Sequence, residues 1–207
     1  MPLFKTYTHA DVCWGIWKVE EEEDELLSML PSRNLYLAAL QRFTSPHRRV
    51  EWLAVRVLLN TLLGEEKEIL YHSSGRPYLS DASISISHTK GYVAVLLADV
   101  NRFVGIDIEQ VGERVRRVAH KFVNDDEQIQ PYEESDIWSL LLHWSAKESM
   151  FKCMDTSGVD FLEHLHILPF KPVPQGHFQA YETCTPENRR YTIYYLLHPQ
   201  FVMTWIA

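Results

Sequence analysis

Gly105-Ile-Asp-Ile-Glu109 sets two carboxylates two residues apart in a stretch of strictly alternating side chains. On a β-strand, residues two apart share a face, so Asp107 and Glu109 point one way while Ile106 and Ile108 point the other. Two carboxylates side by side repel by roughly 1 kcal/mol or more at surface-like dielectric. Such a pair persists if both face water as a solvated edge, or if a hard divalent cation sits between them. The flanking isoleucines favour a strand buried on its opposite face.

Trp144-Ser-Ala-Lys-Glu-Ser-Met-Phe-Lys152 is a second constellation. In a helix Glu148 and Lys152, four apart, lie on one face with Lys147 beside them. By spacing alone this is an ordinary helix ion pair, worth a few tenths of a kcal/mol. A third is Gly75-Arg76-Pro77, which is turn chemistry, followed by Ser87-His88-Thr89. A histidine at a strand end is either structural or a cation and donor for a phosphate.

The elements that must position these groups follow from local pattern. Phe4 to Lys18 reads as one or two strands. The acidic run Glu20 to Glu25 suits the first turn of a helix that ends at Pro31-Ser32, as a solvated helix start and not a metal site. A second helix covers about Arg33 to Phe43. A third opens at Ser45-Pro46, N-cap and first helical position, carries Val50, Leu53, Ala54, Val57 and Leu58 on one stripe, and closes at Gly64. Ser83 to Ser87, Tyr92 to Ala98 and Phe103 to Glu109 read as three strands joined by short connections, hence a meander of neighbours. Helical patterning returns over Glu113 to Phe122 and Asp136 to Cys153. The tail holds strands near His164 to Leu168, Phe178 to Tyr181, Tyr191 to His198 and Phe201 to Ile206. Helices and strands mix without strict βαβ alternation, which predicts an α+β fold. Asn101-Arg102 is the expected seam between two halves, 1–101 and 102–207.

Composition bounds what these halves can do. The chain has 207 residues, and 46% of them are hydrophobic, enough for a sizeable core. A net charge of −8 speaks against a general nucleic-acid binder. The three cysteines, Cys13, Cys153 and Cys184, make no C-x-x-C pair and no even disulfide set, as in a reducing compartment. The start, Met1-Pro-Leu-Phe-Lys-Thr-Tyr, has no apolar leader region and no stretch is long enough to span a membrane, so the expectation is a soluble cytoplasmic protein.

The ordered set Gly75-Arg-Pro, Ile84-Ser-Ile-Ser-His-Thr89, Gly105-Ile-Asp-Ile-Glu109 and Trp144-Ser-Ala-Lys-Glu-Ser149 with Lys152 resembles the 4′-phosphopantetheinyl transferase superfamily. Within it the chain looks like the monomeric, surfactin-synthetase-activating type. The resemblance rests on the middle and C-terminal parts. It implies two similar α/β halves about a pseudo-twofold axis with the active site between them. Residues 1–101 would bind coenzyme A and residues 102–207 would hold the metal and the catalytic groups. The implied activity is that of a holo-[acyl-carrier-protein] synthase. It transfers 4′-phosphopantetheine from coenzyme A to a serine of an apo acyl carrier protein, or of a peptidyl or polyketide carrier domain, and releases 3′,5′-ADP.

Carried over residue by residue, the resemblance makes Asp107, Glu109 and Glu148 ligands of magnesium, with manganese as an alternative. Such an oxygen-only set suits this cation, which shares carboxylates with substrate phosphate. Lys152 would stand near the leaving phosphate as proton donor or fixed cation. Glu127, in Asn124-Asp-Asp-Glu127, falls where relatives carry an acidic residue near the metal. Either it orients a water that serves as base or Glu148 takes the serine proton, and a solvated acidic helix start is the competing account. Gly75, Arg76, Pro77, Ser87 and His88 would hold the adenine and 3′-phosphate, with Lys147 as a phosphate contact or a structural pair. Among Arg33, Arg42, Arg48, Arg49 and Arg56, the favoured N-terminal phosphate contacts are Arg49 and Arg56. Arg114, Arg117 and Lys121 share one helical face, which is either solvated or steers an acidic carrier. Trp144 is expected to pack its helix onto the sheet. Two rival classes use the same residues: a metal-dependent phosphohydrolase, and a binding module without catalysis.

Overall fold

The structure, a computed structural model, describes residues 2–154 and 156–207; Met1 and Asp155 lie outside it. α-Helices and β-strands are mixed, and the chain divides after Arg102 into two compact units.

The first unit is built on an antiparallel sheet of order β1-β2-β6-β5, with β1 Leu3–His9, β2 Val12–Lys18, β5 Ala82–Thr89 and β6 Tyr92–Asp99. Three helices accompany it: α1 Glu23–Ser28, α2 Arg33–Leu40 and α3 Pro46–Leu63. The ends of α3 follow from the sequence. The Ser45 hydroxyl accepts from the Arg48 N–H, Pro46 needs no partner for a missing N–H, and Gly64 closes the helix at φ +71°. Helix α3 packs on β2 and β6, and Gly15 of β2 makes room for it. A Cβ there would stand 2.9 Å from Leu58 Cδ1. The core gathers Trp17, Leu26, Leu27, Leu40, Leu53, Leu58, Val93 and Val95. A two-stranded ribbon, β3 Leu70–Tyr71 and β4 Pro77–Tyr78, is joined by a turn through Gly75 at φ +86°.

The second unit is an antiparallel sheet of order β7-β11-β10-β9-β8. Its strands are β7 Gly105–Gln110, β8 Leu165–Ile167, β9 Gln175–Glu182, β10 Arg190–His198 and β11 Phe201–Ile206. Strand β7 is therefore not the third member of a meander with β5 and β6, as connection length suggested. After Asn101, at φ +69°, the chain leaves the first sheet, and β7 pairs with the last strand of the chain, Asp107 opposite Thr204. Local alternation identifies a strand but carries no information about a partner nearly a hundred residues away.

The helix expected over Glu113 to Phe122 is shorter. α4 is Arg114–Val118, and a 3-10 turn covers Ala119–Lys121. No helix begins at the acidic run near Asn124, where Glu127 N–H closes a turn onto the Asn124 carbonyl. The long helix α5, Ile137–Cys153, lies on β7 and β11. Its core partners include Phe122, Leu165, Ile193, Tyr195, Val202 and Ile206. Among the described residues no helix is long and apolar enough to cross a membrane.

Candidate active site

Strand β7 and helix α5 bring the two acidic motifs together. A Cβ at Gly105 would overlap the Ser149 carbonyl oxygen, so the helix backbone lies directly on the start of β7. Buried hydroxyls lock this approach. Ser145 Oγ and Ser149 Oγ lie 2.9 Å and 2.8 Å from Thr204 Oγ1, and Ser149 also donates to the Thr204 carbonyl at 3.2 Å. Asp107 and Glu109 face α5, as the two-residue period predicts. Lys152 Nζ donates to Asp107 Oδ1 at 2.8 Å and to the Ile106 carbonyl at 2.9 Å. Trp144 Nε1 donates to Glu109 Oε1 at 2.7 Å.

Asp107 is buried, Glu109 and Glu148 are half-buried, and the three carboxylates feel one another. Burial, then the Asp107 charge and that of Glu148, push the Glu109 carboxyl up to about 7, against the lowering effect of the Trp144 hydrogen bond. Burial and Asp107 likewise raise Glu148, while Lys152 opposes them. The cluster is thus short of positive charge, with three carboxylates facing one ammonium. Its donors are all carboxylate oxygens, a set that fits a hard divalent cation. Among the described residues, however, no three metal-capable side chains are closed to metal-holding geometry. The ammonium of Lys152 and the indole of Trp144 take up Asp107 Oδ1 and Glu109 Oε1. The Trp144 side chain thus does more than pack against Phe122 and Phe161, since it also holds a member of the acidic cluster.

Lys147 and Glu127 are placed differently from a solvent-facing pair. Lys147 is fully buried, and its Nζ donates to Glu127 at 2.9 Å, to the Phe161 carbonyl at 3.1 Å and to the Phe122 carbonyl. Three donors meet three acceptors, so the ammonium has none left for a ligand in this arrangement. Glu127 also accepts from Ile167 N–H at 2.7 Å and Asn124 N–H at 2.8 Å. The solvated acidic start holds only for the exposed Asp125 and Asp126.

In the first unit, a hollow of about 310 Å3 is lined by Arg48, Glu51, Trp52, Arg56, Tyr71, Pro77 and His88, among others. A larger one of about 730 Å3 shares Trp52, Arg56 and Tyr71 with it. Arg56 is buried with its guanidinium carbon 3.5 Å from the Trp52 ring centroid; it donates to the Trp52 carbonyl and the Tyr71 hydroxyl. Arg49 is not brought here, because it is paired with Glu23 at 2.6 Å. Its neighbour Arg48 lines the hollow instead and donates to His88 Nε2 at 2.9 Å. One residue along a helix is about a 100° turn, which spacing without a structure cannot resolve. Pro77 and His88 line the hollow, whereas Gly75, Arg76 and Ser87 are not among its lining residues. Ser87 alternates to the other face of β5 from Ile86 and His88.

Arg114, Arg117 and Lys121 are all exposed, but the change to a 3-10 turn puts Lys121 out of the α-helical register of the other two. Sequence reasoning named Arg48 among the candidate arginines without favouring it, and did not single out Glu51 as a lining residue of the hollow or the Trp144 indole as a partner of Glu109. Gly105 stood inside a quoted motif, and its signal was a glycine at the start of a strand, a mark of close backbone approach.

Comparison with known proteins bears on the second unit above all. Residues 103–206, which carry the acidic strand and helix α5, match the family model described as the 4′-phosphopantetheinyl transferase superfamily. Over 70 residues the chain is 39% identical to the 4′-phosphopantetheinyl transferase AcpT of Salmonella typhi and to that of Salmonella typhimurium, covering 32% of this chain and 36% of each relative. Over 110 residues it is 29% identical to the 4′-phosphopantetheinyl transferase gsp of Aneurinibacillus migulanus, covering 50% of this chain and 46% of that relative. The matched part thus spans less than half the length of each of these relatives. The match contains Gly105, the carboxylates of β7 and the Glu148-Lys152 face of α5, and it extends over half of the chain, so the protein belongs to the 4′-phosphopantetheinyl transferase superfamily.

Proposed function

We propose that the protein transfers the 4′-phosphopantetheine arm of coenzyme A to a serine hydroxyl of an apo carrier protein, magnesium-dependently and with release of 3′,5′-ADP. The observation that carries this reading is the convergence of Asp107, Glu109, Glu148 and Lys152 from two elements into one partly buried, under-neutralised cluster. Asp107, Glu109 and Glu148 would hold magnesium, which supplies charge neutralisation at the pyrophosphate when bound. Lys152 brings a fixed ammonium to the same point, suited to charge on the departing phosphate. Glu148 is better placed than Glu127 to take the serine proton, because both oxygens of Glu127 are engaged inside the fold. In the first unit, Arg48, Arg56 and His88 would bind the phosphate-bearing adenosine end, with Trp52 and Tyr71 as aromatic walls. The carrier is an acyl, peptidyl or polyketide carrier, approached through Arg114 and Arg117, and the enzyme acts as a monomer.

Intact-mass spectrometry of an apo acyl carrier protein, incubated with the protein, coenzyme A and magnesium, tests this directly. The expected result is a gain of one phosphopantetheine on the carrier that disappears without the metal. No gain on acyl, peptidyl or polyketide carriers, with coenzyme A still bound, would overturn it in favour of a binding module. Cleavage of coenzyme A without any carrier would point to a phosphohydrolase.

A further inference from the structure

Glu51 is the one acidic residue among those lining the smaller hollow, and its side chain is largely buried. A carboxylate is an unexpected wall for a site that takes an anion, because it repels an incoming phosphate. What it holds accounts for its presence. Glu51 Oε2 lies 3.4 Å from Arg48 Nη1, and Oε1 lies 3.3 Å from His88 Nδ1 and 3.1 Å from His47 Nε2. Arg48 Nη1 in turn lies 2.9 Å from His88 Nε2. A guanidinium can only donate, so Nε2 accepts and the ring proton sits on Nδ1, towards Glu51. Glu51, Arg48 and His88 therefore form a closed triangle in which each member faces the other two.

The triangle joins a helix to a strand. Arg48 and His88 are 40 residues apart, and their side chains are 59% and 40% exposed. Two exposed, rotamer-rich groups lose conformational freedom when a ligand gathers them, and that loss weakens binding. A buried acceptor that holds both beforehand removes part of the loss. The other charged or titratable groups here are His47 from the same helix, Arg56 one turn below, and Tyr71 from β3.

We infer that Glu51 is a positioning residue: it holds His88 and, with it, sets the Arg48 guanidinium in place to grip a phosphomonoester, the 3′-phosphate of coenzyme A. This rests on the assignment of the hollow to coenzyme A. Glu51 touches no ligand and acts through Arg48.

Calorimetric titration of the intact protein with coenzyme A and with 3′-dephospho-coenzyme A tests it. The unaltered protein is expected to prefer coenzyme A. Glu51→Ala should weaken coenzyme A by about ten-fold, the scale of a lost charge-assisted hydrogen bond, while 3′-dephospho-coenzyme A changes by less than about two-fold. Adding Glu51→Ala to Arg48→Ala should weaken coenzyme A no further than Arg48→Ala alone, as for groups acting in one chain of contacts. Glu51→Gln keeps the volume and one acceptor, so a smaller but equally selective loss is expected, and it decides the matter if the alanine variant does not fold. Tighter coenzyme A binding in either variant would mean that repulsion dominates, and would overturn the inference. An equal loss for both ligands would reduce Glu51 to a structural residue. Failure of the unaltered protein to distinguish the two ligands would instead overturn the assignment of the hollow, and the inference with it.

Discussion

The Lys147 ammonium and the Glu127 carboxylate meet at 2.9 Å, with side-chain exposures of 0% and 1%. The pair ties α5 to the turn at Asn124 and, through Ile167 N–H, to β8. Removing one partner of a buried ion pair leaves an uncompensated charge and costs about 3–5 kcal/mol. Lys147→Met is therefore expected to lower stability on that scale in urea unfolding, and adding Glu127→Gln should recover part of it. A Lys147→Met variant of normal stability but weakened coenzyme A affinity would show that the ammonium serves the ligand instead.

Gly105→Ala tests the approach of α5 to β7. The added methyl would overlap the Ser149 carbonyl, a backbone atom that cannot rotate away. Overpacking costs about 1–3 kcal/mol, and the helix must shift to relieve it. Since Lys152 and Glu148 ride on that helix, transfer activity should fall by far more than stability. Full activity in a folded Gly105→Ala protein would mean that the site tolerates a displaced helix.

Glu148→Gln should abolish transfer while the thermal unfolding curve stays close to that of the parent, because charge is removed at nearly constant volume. Lys152→Ala should lower kcat more than it raises KM if its contact strengthens in the transition state. A change confined to KM would assign Lys152 to ground-state binding.

Acid stability should be set in part by Glu182. Burial alone would raise this carboxyl, but hydrogen bonds from the Thr185 hydroxyl and the Arg189 and Thr185 N–H groups outweigh it and hold it at about 2, against a usual 4.5. A depressed folded-state value stabilises the fold above pH 4.5, and the gain is lost as pH falls from there towards 2. The shift corresponds to about 3 kcal/mol at neutral pH. Glu182→Gln should accordingly destabilise the protein at pH 7, and the gap to the parent should narrow steadily below pH 4.5. A gap independent of pH would attribute the loss to packing.

The parts of this fold that were legible in the sequence are those written in local chemistry. The ends of α3 are announced by Ser45-Pro46 and Gly64, and β5 by its strict alternation. Helix α5 was harder to place by face, because His143, Ser145, Lys147 and Ser149 are all buried and blur any apolar stripe. Their burial depends on partners, Thr204, Glu127 and the Phe161 carbonyl, that lie far along the chain.

The sequence by itself determined that Asp107 and Glu109 share a face, that Glu148 and Lys152 share another, and to which superfamily the motifs belong. The two shared faces rest on two fixed periods, one of strands and one of helices, which need no knowledge of the rest of the chain, and the superfamily rests on the resemblance of the ordered motifs. Only the tertiary structure decided that β7 pairs with β11, that Arg48 and not Arg49 joins His88, and that Lys147 closes on Glu127. Each of these depends on a contact between distant residues, and the free energy of such a contact is a property of packing and burial, which local sequence does not contain.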